Sequence, residues 1–278
     1  MSSADLTGLI GHPVSHSWSP LLWNALYRSR AMHHLYVAID LEPHDLGRFV
    51  LISRSSLLGF NVTAPYKRSV MEHLDSIDRE AARIGSVNVV VARDHGLVGG
   101  NTDYSGFGNL LESHEFDLHS TRICIRGTGG SFRSVYAYIA DHFGGVDISV
   151  ISRTPGNFTA KDPLFANGPL PVFLDYYAAK DAKFDFLINC SPLGMLDERQ
   201  LPFPIETLQN AEAGIDLIYN PAKTPFVKCM ESLGKACANG LAMFAGQARE
   251  SFERIHGFDP GKEAVDRILS GIDGGGSR

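Results

Sequence analysis

Residues 121–153 read TRICIRGTGGSFRSVYAYIADHFGGVDISVISR. A β-branched apolar run (RICIR) meets a glycine-rich turn (GTGGS), a stretch of helical period follows, and a second β-branched run (DISVIS) closes the segment. Strand, tight turn, helix, strand is a βαβ unit, and strands this apolar need cover on both faces of a parallel sheet. Glycines at 127, 129 and 130 let the backbone turn sharply and approach a phosphate at a helix N-terminus. A tight turn with no ligand would use the same residues, so the motif alone leaves both readings open.

The end of the second strand narrows the choice. Ser152, Arg153 and Thr154 stand where a dinucleotide fold meets the adenosine ribose. A carboxylate there would accept from a free 2′-hydroxyl and point to NAD, whereas an arginine among hydroxyls suits a 2′-phosphate and points to NADP. A solvated loop arginine is the plain alternative. Two residues fit the turn poorly. Phe132 replaces the small residue usual at close helix–strand contact, and Arg126 ends a strand where an apolar residue is usual. Arg126 is expected to lie near a phosphate or, more simply, to make a salt bridge at the strand end.

Working outward, FDFLINCSPLGM (184–195) and AGIDLIYNP (213–221) repeat the pattern of an apolar strand ending in a polar, proline-marked loop. The intervening stretch at 154–171 holds four prolines and no helical period, so its helix is expected to be short or missing. GLAMFAGQARESFERIHG (240–257) reads as an amphipathic helix. Upstream, TGLIGHPV, HLYVAIDL and LLGFNVTA read as strands that alternate with helices over 16–30, 42–55 and 70–85. GSVNVVVAR and LVGGNTD read as a hairpin. The expected architecture is α/β: an N-terminal, mostly parallel α/β domain (1–104, plus C-terminal helices at 239–278) and a Rossmann-like domain (105–238), with a cleft between them.

Bulk properties remove several function classes. With 278 residues, 44% hydrophobic and 20% charged, the chain can build two cores and is not disordered. A net charge of −6 with no basic patch argues against nucleic acid and anionic membrane as partners. No segment approaches a membrane span or signal peptide, and four cysteines without CxxC or zinc-like spacing read as reduced thiols in a cytoplasmic protein.

Four further features carry candidate chemistry. Ser17 and Ser19 in HSWSP flank a helix start with Pro20 at its first position, giving either a carboxylate cradle or simple N-capping by Ser19. In GFNVTAPYK, Thr63 and Pro65 end a strand and Lys67 follows, an ammonium where a surface charge would be the plain reading. Asn88 sits inside an apolar strand and needs hydrogen-bond partners or a ligand. Asp103 in NTD caps or nearly caps the helix that follows.

Taken together, HSWSP, GFNVTAPYK, GSVNVVV, GNTDYSGF, GTGGS, ISRT, NCSPLGM, DLIYNP with KTPF, and GLAMFAGQA resemble the shikimate dehydrogenases in order and spacing over almost the whole chain. The resemblance implies NADP(H)-dependent reduction of 3-dehydroshikimate to shikimate, a step toward aromatic amino acids, with no metal. It implies Lys67 and Asp103 as the catalytic pair. Ser17 and Ser19 would bind the substrate carboxylate; Thr63, Asn88, Asp103, Tyr219 and Gln247 would be further substrate contacts. Gly127, Gly129, Gly130 and Ser131 would hold the pyrophosphate, and Ser152, Arg153 and Thr154 the 2′-phosphate. Leu217 and Gly240 would line the nicotinamide pocket. The chain reads PGN just after Arg153-Thr154, where the family often carries a second basic residue, so a weaker 2′-phosphate grip is expected. The alternatives are a quinate/shikimate dehydrogenase using NAD and a non-catalytic shikimate-binding sensor. A monomer or homodimer is expected in each case.

Overall fold

The computed structural model describes residues 5–153, 162–166 and 168–274. They form two compact units: one runs to Asp103 and resumes at Ala245, and the other spans Tyr104 to Phe244.

The first unit contains β1 (Asp5–Gly11), α1 (Ser19–Ser29), β2 (His34–Asp40), α2 (Leu46–Ser56), β3 (Gly59–Val62), β4 (Ser76–Ile77), α3 (Arg79–Ile84), β5 (Val89–Arg93) and β6 (Gly96–Gly100). Its sheet has the order β2-β1-β3-β5-β6-β4. Strands β1, β2 and β3 are parallel, while β5 runs antiparallel to both β3 and β6. The parallel half therefore ends in loops at the same edge where β5 begins and β6 ends, which gathers five connections together. The stretch 70–85, expected to be one helix, is instead a 3₁₀ turn at Ser69–His73, the short β4 and then α3. Its LDSID core explains the break, because Asp and Ser bond nearby backbone in competition with the helix. Asp78 caps α3 by accepting from Ala81 N at 2.7 Å, and Asp75 accepts from Leu97 N at 2.7 Å.

The second unit contains α4 (Asp103–Ser113, whose first residue closes the first unit), β7 (Arg122–Arg126), α5 (Gly130–His142), β8 (Asp147–Ile151), β9 (Val172–Leu174), β10 (Phe186–Asn189), α6 (Ile205–Asn210), β11 (Ala213–Asp216), α7 (Pro225–Ser232) and β12 (Ala236–Asn239). Its six strands are all parallel, in the order β12-β11-β10-β7-β8-β9. This is the doubly wound arrangement, with the order reversing between β7 and β10. Between β8 and β9 the described residues hold only a three-residue 3₁₀ turn, Pro163–Phe165.

Helices α8 (Leu241–His256) and α9 (Lys262–Gly274) follow. The second half of α8 packs into the first unit. Phe252, fully buried, lies 5.2 Å from the ring of Trp23 and 5.9 Å from that of Tyr27. At the end of α8, His256 Nε2 lies 3.0 Å from the Tyr27 hydroxyl. Burial, reinforced by nearby His34, pushes the His256 pKa down to about 4 from 6.5, with Asp5 opposing weakly. Because the folded state disfavours the charged ring, this stability is complete above pH 6.5 and is lost as pH falls toward 4. With the ring's charge partly screened by solvent, the loss is ~1–2 kcal/mol. Urea melts at pH 7 and pH 4.5 are therefore expected to differ less for His256→Phe than for the unsubstituted protein.

Candidate active site

The loop edge of the first unit concentrates its polar residues. The loops after β1 and β3 are joined by backbone bonds from Thr63 N to Ile10 O (2.9 Å) and from His12 N to Ala64 O (3.0 Å). The buried Tyr66 hydroxyl donates to Leu41 O, and Val87 N donates to Lys67 O at 2.7 Å, so the backbone around Lys67 is held from two sides. From that turn the lysine reaches Asp103, with Nζ 2.5 Å from Oδ2 and side-chain exposures of 13% and 7%. These exposures exclude the surface-charge reading. A pair so far withdrawn from water adds little net stability, since desolvation offsets the attraction; what it provides is a fixed, charged ammonium.

Asn88 supplies the next contact. Its Nδ2 donates to Asp103 Oδ1 (2.9 Å) and Thr102 Oγ1 (3.0 Å), while its Oδ1 accepts from Thr102 N (2.7 Å). The polar chain continues through Thr102 to Ser251 (3.0 Å), to Asn61 (2.9 Å) and to the Tyr36 hydroxyl (2.9 Å). Thr102, Ser251 and Asn61 were missed by sequence reasoning. Asn61 was the legible one, being polar in the middle of a wholly buried strand. Ser251→Ala is expected to cost ~1–3 kcal/mol, because the Asn61 amide and the Thr102 hydroxyl both lose a buried partner. Chemical denaturation would measure it. Gln247 lies one helical turn before Ser251 on the same face of α8, half-buried.

Ser19 does not cap α1. Trp18 occupies the cap position without a side-chain capping bond to the helix, and Ser19 is the first helical residue. Instead, Ser17 Oγ accepts from Ser19 N (3.2 Å) and donates to Ser19 Oγ (3.1 Å), which brings two hydroxyls together beside the helix N-terminus. That arrangement suits an anion.

In the second unit, the turn from β7 to α5 contains Gly127 at φ 101°. A Cβ there would lie 3.1 Å from Cys190 O, whereas one on Gly129 would meet nothing within 4 Å. The 13-residue α5 begins after Gly129 with no side-chain cap, and Gly130 and Ser131 form its first turn. Open space at 129, a close backbone at 127 and an uncapped helix start together fit a pyrophosphate. Phe132 is not in the way, being fully buried with its ring 6.0 Å from that of Tyr136. Ser152 is buried and Arg153 exposed at the end of β8. Thr154 lies outside the described residues.

The loops after β10 and β11 are tied through Asp216, which accepts from Asn189 Nδ2 (2.9 Å), Ile218 N (3.1 Å) and Thr224 Oγ1 (2.6 Å). Burial pushes the Asp216 pKa up to about 6 despite these bonds. Leu217 follows it directly, and Gly240 N donates to Ile218 O at 3.1 Å. A Cβ on Gly240 would come within 2.0 Å of Leu217 O, so glycine is required for this approach. Tyr219 stacks on Phe244 at 4.4 Å.

Residues 9–90 match the family model described as the shikimate dehydrogenase substrate binding domain. The chain is also similar to a curated protein named shikimate dehydrogenase (NADP(+)) from Thermoplasma acidophilum. The two are 35% identical over 98% of this chain and 100% of the relative. The chain belongs to the shikimate dehydrogenase family. Two solved structures of shikimate dehydrogenases are similar throughout. The first, from Peptoclostridium difficile, has a TM-score of 0.89 at 30% identity and covers 97% of this chain and 98% of its own. The second, from Thermus thermophilus in complex with NADP(H) and shikimate, has a TM-score of 0.82 at 28% identity and covers 96% and 98%. The stretch that matches the shikimate dehydrogenase domain model contains Ser17, Ser19, Thr63, Lys67 and Asn88. Among the described residues no group of three His, Cys, Asp or Glu could hold a metal, and no helix is long and apolar enough to cross a membrane.

Proposed function

We propose that the protein interconverts 3-dehydroshikimate and shikimate with NADP(H), the first unit binding the substrate and the second the cofactor. The observation that carries this reading is the withdrawn Lys67–Asp103 pair with Asn88 holding the second carboxylate oxygen. When bound, NADPH supplies the hydride. The carbonyl oxygen that gains negative charge must receive a proton, and the Lys67 ammonium is the group to stabilise and protonate it before regaining a proton from water. Asp103 keeps the ammonium aimed, and Asn88 keeps Asp103 from rotating. Ser17 and Ser19 take the substrate carboxylate at the start of α1. Thr63, Asn88, Asp103, Gln247 and Tyr219 meet its remaining polar groups, each of which needs a partner once desolvated.

In the second unit Gly127, Gly129, Gly130 and Ser131 hold the pyrophosphate, and Ser152 and Arg153 bind the 2′-phosphate, a role the sequence resemblance extends to Thr154. Leu217 and Gly240 line the nicotinamide side. Four free thiols favour a reducing compartment, and we read the protein as a cytoplasmic monomer or homodimer.

The test is a spectrophotometric matrix of shikimate or quinate against NADP⁺ or NAD⁺. Turnover confined to shikimate with NADP⁺ is the expected result. Preference for quinate with NAD⁺ would make the protein a quinate/shikimate dehydrogenase using NAD, and binding of shikimate with no turnover in any combination would leave a sensor.

A further inference from the structure

Arg126 does not make the strand-end salt bridge that its position led us to expect. It ends β7 half-buried, and among the described residues its side chain has neither a carboxylate partner nor a hydrogen bond. Its guanidinium carbon instead sits 5.6 Å from the ring centroid of Tyr176. A cation withdrawn from water is ordinarily paired with an anion, and an aromatic face only partly replaces one.

The surroundings show where an anion would sit. Arg126 pairs in register with Ile151, the last residue of β8, so Ser152 and Arg153 continue directly beside it. Ser152 N donates to Leu174 O at 3.2 Å, which ties this end of β8 to β9, two residues before Tyr176. Two arginines therefore stand at the ends of adjacent strands, one of them against a tyrosine. Burial pulls the Arg126 pKa below the ordinary range, with Tyr176 and Cys124 opposing and the charge of Arg153 adding a smaller downward push. Two cations this close repel each other, and a dianion between them would relieve both that repulsion and the missing pairing of Arg126.

We propose that Arg126 is the second cation of the 2′-phosphate site, gripping the ribose phosphate monoester from β7 while Arg153 grips it from β8. The proposal rests on the NADP reading above and specifies how this chain achieves it. The guanidinium keeps its cation–π contact with Tyr176 while its N–H donors reach phosphate oxygens. It acts in cofactor selection and takes no part in the chemical step.

Calorimetric titration of the protein with 2′,5′-ADP and with 5′-ADP tests this without turnover. The unsubstituted protein is expected to bind 2′,5′-ADP more tightly. Arg126→Met is expected to weaken 2′,5′-ADP about tenfold or more and to change 5′-ADP by less than about twofold. Arg126→Lys, which keeps a charge, is expected to retain much of the preference. Unchanged 2′,5′-ADP binding in Arg126→Met would overturn the assignment. Equal losses for both nucleotides would overturn it too, since Arg126 would then be shaping the turn or the adenine pocket. If the unsubstituted protein binds the two nucleotides equally, the NADP reading itself fails, and that is seen before any variant is made.

Discussion

Lys67→Ala is expected to reduce kcat about 10²-fold or more while shikimate still binds. The ammonium is needed most when negative charge develops on the carbonyl oxygen, so its loss falls on the transition state more than on the ground state. The environment makes the effect large. At 13% side-chain exposure, a cavity in place of the lysine admits little water to act as substitute donor. Asp103 would also be left buried beside Asn88 without its cation, at a cost in stability. Steady-state kinetics and shikimate binding by calorimetry separate the two effects. A kcat near that of the unsubstituted protein would show that another group, or water, delivers the proton.

The second large effect is expected at Arg153. Arg153→Ala should raise KM for NADP⁺ roughly 10–100-fold, the value of one or two charge-assisted hydrogen bonds, and leave KM for NAD⁺ within about threefold. The residue is exposed at the end of β8. Its replacement therefore probes cofactor recognition with little structural cost. Equal rises for both cofactors would mean that Arg153 contacts the shared part of the dinucleotide, and the 2′-phosphate assignment would fall.

The sequence was most informative where backbone rules and apolar patterning coincide. RICIRGTGGS announced a strand, turn and helix because glycine spacing, β-branched residues and helical period agreed. The strand of GFNVTA and the hairpin of 85–103 were legible for the same reason. The stretch 70–85 was misread as one helix because the helical signal of Glu80, Ala81 and Ala82, realised in α3, does not extend back through Asp75, Ser76 and Asp78. Ser19 looked like a cap, but the chain enters α1 with Trp18 already in a helical conformation, which moves the serine one place inward. Contacts between distant residues were the least legible. Nothing near Asn61 in the chain announces that its amide bonds to Ser251, 190 residues away. Phe132 looked obstructive by comparison with a fingerprint, yet a helix position one turn from a strand end can point inward as easily as outward, and here it is fully buried.

The bond between Asn61 and Ser251 also sets an order of events as the chain is made. The strands β1 to β6 leave the ribosome early, but Asn61 and Thr102 lack their shared partner until α8 has been synthesised. Trp23 and Tyr27 likewise wait for Phe252 to cover them. The second unit can form in that interval, since domains fold as units during synthesis. The polar chain leading to Lys67 is therefore completed last, and a nascent chain stopped before α8 carries the lysine and its aspartate without the scaffold behind them.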